Sequence, residues 1–229
     1  MRAVALLLSV LLVSCYGTET GNPPFAPSVS GEAGAPMGIL PLLGLDRGWL
    51  SLGELAFEPA STCGVDSVAV RSSLAALSLT GGAAFEAEAV LEEGDYCALQ
   101  LERAPWTADT PEALSGQTLA LDAHAADGTL VYVRSARLGS LRIAGEAFRL
   151  SPSEGALVVF VDESQLFDGL NLTDATREPD GSVLISDEHN AVLLDRIEAA
   201  LPLALFLFRD RDGDGRLSAD ERAAGPLAP

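Results

Sequence analysis

Basic residues are scarce in this chain. Lys and Arg number 14 against 33 Asp and Glu in 229 residues, a formal net charge of −19 with an isoelectric point near 4.2. A surface of that sign is repelled by phosphates instead of releasing their counterions, which argues against nucleic acid as a partner and against basic-patch adhesion to anionic lipid. Histidine is rarer still: only His124 and His189 occur, and neither lies in an HExxH or other ligand-spaced cluster, so a zinc hydrolase is unsupported. Both read as structural histidines, His124 in a strand-like run and His189 near a helix start. A Gly-x-Ser-x-Gly elbow and a phosphate loop are also missing. The acidic pairs Glu86 with Glu88 and Glu92 with Glu93 read as solvated surface in a chain this rich in carboxylates. With no catalytic motif in view, the expectation is a protein that is not an enzyme.

Apolar residues are plentiful, at 48% of the chain, enough for one fair-sized domain or two small ones. The first residues have the layout of an export signal, with Arg2 as the charge and Ala3 to Val13 as an apolar core too short to span a bilayer in the mature protein. Leu12-Val13-Ser14-Cys15 follows directly. That tetrad resembles the lipobox of bacterial lipoproteins, and the resemblance implies removal of residues 1–14, lipidation of Cys15 and membrane attachment through the acyl chains. Tyr16 in place of aspartate after Cys15 implies, by the same resemblance to Gram-negative lipoproteins, an outer-membrane address, periplasmic or surface-exposed. Gly17 to Pro36 is rich in Gly, Pro, Ser and Thr, so residues 15–37 read as a lipidated flexible tether.

Cys63 and Cys97 remain. An exported chain meets oxidising conditions, which predicts a disulfide between them, two reduced buried thiols being the alternative. A zinc site is discounted because the pair lacks CxxC spacing and nearby histidines. From Ile39 to Val161 short apolar runs alternate with turn signals such as Gly81-Gly82, Glu93-Gly94 and Asp127-Gly128. Expected strands include Gly53 to Phe57, Ser67 to Ser72, Leu74 to Thr80, Phe85 to Leu91, Tyr96 to Arg103, Thr118 to His124, Leu130 to Arg137, Ser140 to Ile143, Ala147 to Leu150 and Ala156 to Val161. Their rhythm predicts a mainly β fold over 38–170, and the pattern resembles the antiparallel immunoglobulin-like β-sandwiches of exported bacterial proteins.

Residues 171–229 read as a C-terminal helical segment. Ser186 or Asp187 can cap a helix with Val192, Leu193, Ile197 and Leu201 at helical spacing, Pro202 should kink it, and Leu203 to Phe208 leads into the last motif. That motif is Asp210-Arg211-Asp212-Gly213-Asp214-Gly215-Arg216-Leu217-Ser218-Ala219-Asp220-Glu221. Calcium loops need oxygen ligands at positions 1, 3, 5, 7, 9 and 12 and glycine at position 6. Asp210, Asp212 and Asp214 supply carboxylates, Arg216 its carbonyl, Ser218 a hydroxyl or bridging water, Glu221 both carboxylate oxygens, and Gly215 the turn. The loop resembles that of the EF-hand family over its whole length, which implies one bound Ca2+. Gly225-Pro226 leaves about one helical turn after Glu221, so the loop reads as a structural clasp and not a helix-opening sensor. The expected protein is thus a lipid-anchored cell-envelope protein with one structural calcium. The alternatives are an envelope glycan hydrolase stabilised by calcium, or a calcium-ordered adhesion or assembly module with a protein partner.

Overall fold

The computed structural model of the chain describes residues 24–34, 43–81, 85–109 and 111–228. Along them run the strands β1 (Pro24–Phe25), β2 (Ser28–Gly34), β3 (Leu43–Pro59), β4 (Val68–Arg71), β5 (Ala75–Ser78), β6 (Phe85–Glu86), β7 (Leu91–Glu92) and β8 (Gly94–Arg103). Then come β9 (Leu119–Ala125), β10 (Leu130–Ser135), β11 (Gly139–Leu150), β12 (Ala156–Asp162), helix α1 (Glu163–Leu166), β13 (Val183–Ile185), α2 (Ala191–Ala204), β14 (Leu205–Arg209) and α3 (Ala219–Ala224). The larger sheet has the order β11-β8-β3-β9-β10-β13, with β4 and β5 also pairing β3, and the smaller has the order β14-β12-β2-β6. The fold is mainly β, and its sheets share one apolar core. Leu50, Phe57, Leu99 and Leu121 enter it from the larger sheet, Val29, Leu157 and Val159 from the smaller, and Leu194, Ile197 and Leu201 from α2. Each such side chain contributes roughly 1.5 to 3 kcal/mol by leaving water.

β3 is the axis of the larger sheet. Its first half pairs β9 and its second half β8, with register shifts between Leu45 and Arg47, between Leu52 and Glu54, and between Glu58 and Pro59. Such bulges bend a strand and increase its local twist, which lets 17 residues serve successive partners. The expected short strand at Gly53 to Phe57 is the middle of this element. Likewise, Ser140 to Ile143 and Ala147 to Leu150 belong to a single strand, β11, with a register shift between Ala144 and Phe148.

Four expectations are corrected. The sheets are not purely antiparallel: β2 runs parallel to β12 and β13 parallel to β10. The stretch read as tether contributes β1 and β2 at 24–34, where Phe25 and Val29 are buried; its remaining residues lie outside those described. Seven consecutive backbone pairs with β12 outweigh the weak intrinsic preference of Ser28-Val29-Ser30-Gly31 for any one structure. Nor is 171–229 wholly helical, because β13 and β14 are strands of the two sheets. Leu205 and Leu207 face the main core while Phe208 joins Val158, Phe160 and Leu217 in a second cluster, the period-2 alternation of a strand. Helix α2 begins later than expected, after Asn190 at φ 55°, and continues past Pro202 to Ala204. Ser186 caps a turn instead, its hydroxyl accepting from the Glu188 and His189 amides.

Candidate functional site

The acidic loop starts where β14 ends. The Asp210 amide donates to the Ala156 carbonyl at 3.0 Å, so the first residue of the loop is fixed to the start of β12. Ser218 and Glu221 then form a capping box that starts α3: each side chain accepts from the other residue's backbone amide. Gly225, at φ 82°, follows the last helical residue, and Leu227 donates back to the Leu207 carbonyl at 2.7 Å. The chain therefore leaves β14, makes the loop and one and a half turns of helix, and returns to β14.

Inside the loop the Asp210, Asp212 and Asp214 carboxylates converge, with one oxygen of each lying within 4.8 Å of the others. Asp210 is buried and receives the Gly213 amide on Oδ1 at 2.7 Å and the Gly215 amide on Oδ2 at 2.8 Å. Gly213 and Gly215 sit at φ 73° and 76°, the left-handed region that side-chain-bearing residues avoid, and this lets both amides turn inward. Asp214 receives the Arg216 amide at 2.8 Å. Glu221, also buried, takes the Arg211 amide on Oε1 at 2.5 Å and the Ser218 amide and hydroxyl on Oε2, each at 2.8 Å. Each carboxylate oxygen has two lone pairs, so these bonds fix the groups and leave acceptor capacity on them.

Of the six positions read as ligands, three carboxylates are brought together. Glu221 and Ser218 are held against each other beside them, and Arg216 is exposed and contributes backbone only. Burial pushes the Asp210 carboxyl up, helped by neighbouring Asp212 and Glu221 and opposed by the two glycine amides. For Glu221 burial again acts upward, but the Arg211 and Ser218 hydrogen bonds outweigh it and hold the carboxyl below its ordinary value. A mutually repelling group of oxygen donors, with Asp210 and Glu221 buried and Asp212 and Asp214 exposed, fits a hard divalent cation and lacks the thiolate or imidazole that softer metals select.

One further residue supports the loop and carried no sequence signal. Glu32, on β2, accepts the Leu217 amide on Oε2 at 2.6 Å and pairs through Oε1 with Arg222 of α3, whose guanidinium lies 5.0 Å from the Phe160 ring centre. A contact across 185 residues has no local spacing to reveal it.

Cys63 and Cys97 form a disulfide, and Cys15 lies outside the described residues. His124 is exposed and bonds Asp46 at 2.9 Å; His189 is exposed, 3.6 Å from Glu178. Glu88 and Glu93 are taken up by Arg71 and Arg149. No protein-family model matches the chain, and no curated protein matches it. Among solved structures, MbnP from Methylosinus trichosporium is similar over 69% of this chain and 82% of that one, with a TM-score of 0.43 and 13% identity.

Proposed function

We infer that the protein binds one calcium ion in the Asp210–Glu221 loop, EF-hand fashion, and that the ion fastens the C-terminal segment to the smaller sheet. The observation that carries this reading is the convergence of the Asp210, Asp212 and Asp214 carboxylates in a loop tied to β12 by the Asp210 amide and to β2 by Glu32. Asp210, Asp212, Asp214 and Glu221 would hold the ion, joined by the Arg216 carbonyl and Ser218. The ion supplies charge neutralisation, and the chain's own amides set where the carboxylates stand. The role is structural. Helix α3 has six residues and its partner is β14, so no helix pair exists on either side of the loop to be opened by the ion.

The same reading makes the protein a lipid-anchored component of the bacterial cell envelope, attached at the outer membrane through Cys15, with no catalytic activity of its own. Support for it comes from the lipobox-like tetrad, and the extracellular side of a membrane is where a weak calcium site is filled. Stabilisation grows as RT ln(1 + [Ca]/Kd), about 2.7 kcal/mol at a hundredfold excess over Kd.

Calorimetric titration of the chain carrying Cys15→Ser tests the site. Calcium should release or absorb heat with 1:1 stoichiometry and a Kd of about 10⁻⁴ to 10⁻³ M, the extracellular range, and raise the melting temperature. Asp210→Asn should abolish both effects. No heat and no melting shift at millimolar calcium sinks the reading.

A further inference from the structure

The outer face of the larger sheet carries a second constructed site, remote from the acidic loop in sequence and independent of it. In the β3–β9 register Arg47 stands opposite Asp122 and Trp49 opposite Ala120; in the β9–β10 register Tyr132 stands opposite Asp122 and Arg134 opposite Ala120. Three neighbouring strands thus bring two arginines, two aromatic rings and one carboxylate to one face around a small residue. The intervening positions Leu121, Val131 and Val133 point to the core, as strand alternation requires. The segment around Glu112–Leu114 and Gln117 closes one side, leaving a cleft of about 580 Å³.

The side chains of this cleft hold each other in place. Asp122 is buried and binds Arg47 through Oδ2 at 2.9 Å and Arg134 through Oδ1 at 2.6 Å. Arg134 Nη1 also donates to the Leu121 and Val133 carbonyls at 2.9 and 2.8 Å. The Arg47 guanidinium lies 5.7 Å from the Trp49 ring centre and that of Arg134 5.6 Å from the Tyr132 ring. Fixing long arginine side chains beforehand is what makes a polar site effective, since their ordering no longer opposes binding.

Charge balance selects the occupant. Both arginines pair with the single carboxylate Asp122, and the exposed Glu112 in the lining brings the formal charge of the cleft to zero on a chain of net charge −19. An anion meets guanidinium groups already bound by Asp122 and is repelled by the net charge of the whole molecule, while a cation is repelled by the two guanidinium groups themselves. Two partly exposed aromatic faces between fixed donors and acceptors suit a neutral ring that is apolar on its faces and hydroxylated around its edge. We propose that the Arg47–Trp49–Asp122–Tyr132–Arg134 cleft binds a neutral saccharide, its ring against Trp49 and Tyr132 and its hydroxyls bonded to the Arg47 and Asp122 side chains. The cleft volume is within the range of small-ligand sites.

Tryptophan fluorescence reads the site, because the chain has two tryptophans and Trp49 is one of them. The full chain with Cys15→Ser is titrated with chitotetraose, cellotetraose and maltotetraose, each neutral or uncharged at pH 7. At least one should give a saturable change in emission with millimolar or tighter affinity. Tyr132→Ala and Arg47→Ala should each weaken it at least tenfold; Arg47 is 66% exposed, so its variant keeps the fold, checked by an unchanged melting temperature. Sodium phosphate and benzoate should neither bind nor compete. The proposal is overturned if none of the three saccharides saturates, if both folded variants bind as tightly as the parent, or if phosphate or benzoate displaces the sugar.

Discussion

Glu58 shows how much one buried charge can organise. It is fully buried on β3, yet its carboxyl is held down at about 2, chiefly by the paired hydrogen bonds of Arg142, with Gln100 and the Gly64 amide assisting against the upward pull of burial. Arg142 Nε and Nη2 reach its two oxygens at 2.7 Å each, Gln100 Nε2 at 2.6 Å and the Gly64 amide at 2.7 Å. These bonds join β3, β8 and β11 to the loop that bears Cys63. Because the folded value lies below the ordinary 4.5, the group stabilises the fold above pH 4.5 and loses that contribution as pH falls toward 2. The contribution is at most on the order of 3 kcal/mol, the equivalent of the full displacement. Glu58→Gln should therefore lower stability at pH 7 and flatten the pH dependence between those values, read from urea midpoints along a pH series. Arg142 is 41% exposed and keeps water contact in the variant, so the loss reflects the pair and not a stranded buried cation. An unchanged acid-side slope in Glu58→Gln would falsify this account.

Strand β2 is the element on which the smaller sheet and the acidic loop both depend. It pairs β12 over seven residues, supplies Glu32 to the loop, and passes β5 at Gly31 so closely that a Cβ there would fall 2.2 Å from the Ser78 carbonyl oxygen. That neighbour is backbone and cannot rotate away. Gly31→Ala should accordingly cost about 2 to 3 kcal/mol or more, at the upper end of overpacking effects, and should weaken the proposed calcium binding through Glu32. Gly94→Ala, on β8 with nothing within 4 Å of the added carbon, is the matching control and should leave the urea midpoint nearly unchanged. Equal midpoints for the two variants would remove β2 from this role. The same element explains why the N-terminal part of the chain misled sequence reading: Ser, Gly and Ala in 28–34 carry no apolar rhythm, and the strand exists because β12 and β6 lie on either side of it.

For the whole molecule, stability is drawn from a shared core plus cross-links placed at its margins. The Cys63–Cys97 bridge spans 34 residues and ties the end of β3 to β8. Its removal should cost about 3 to 4 kcal/mol through the entropy returned to the unfolded chain. Cys63→Ala with Cys97→Ala should thus melt well below the parent, and added calcium should raise both melting temperatures by similar amounts, because the bridge and the acidic loop share no residues. Differential scanning calorimetry with and without calcium checks this; a calcium shift that vanishes with the bridge would mean the two are one unit. On the other flank, Arg103 and Glu198 pair at 2.8 Å, both nearly buried, and fix α2 to the larger sheet. A segment that reads as separate in sequence is thereby joined to the same body.

Whatever depends on near neighbours in the chain was legible before the fold. The short apolar runs that form β8, β9, β10 and β12, the glycine turns, and the acidic spacing from Asp210 to Glu221 are local patterns visible without a fold. What depends on distant pairing emerged only with the assembled sheets. The parallel course of β2 beside β12, the reach of Glu32 to Leu217, the meeting of Glu58 with Arg142, and the grouping of Arg47 and Trp49 with Asp122, Tyr132 and Arg134 all join residues far apart in the chain. The physical reason is that a strand's partner is chosen by which edge lies open beside it and which side chains it buries, quantities of the assembled sheet that no single segment contains.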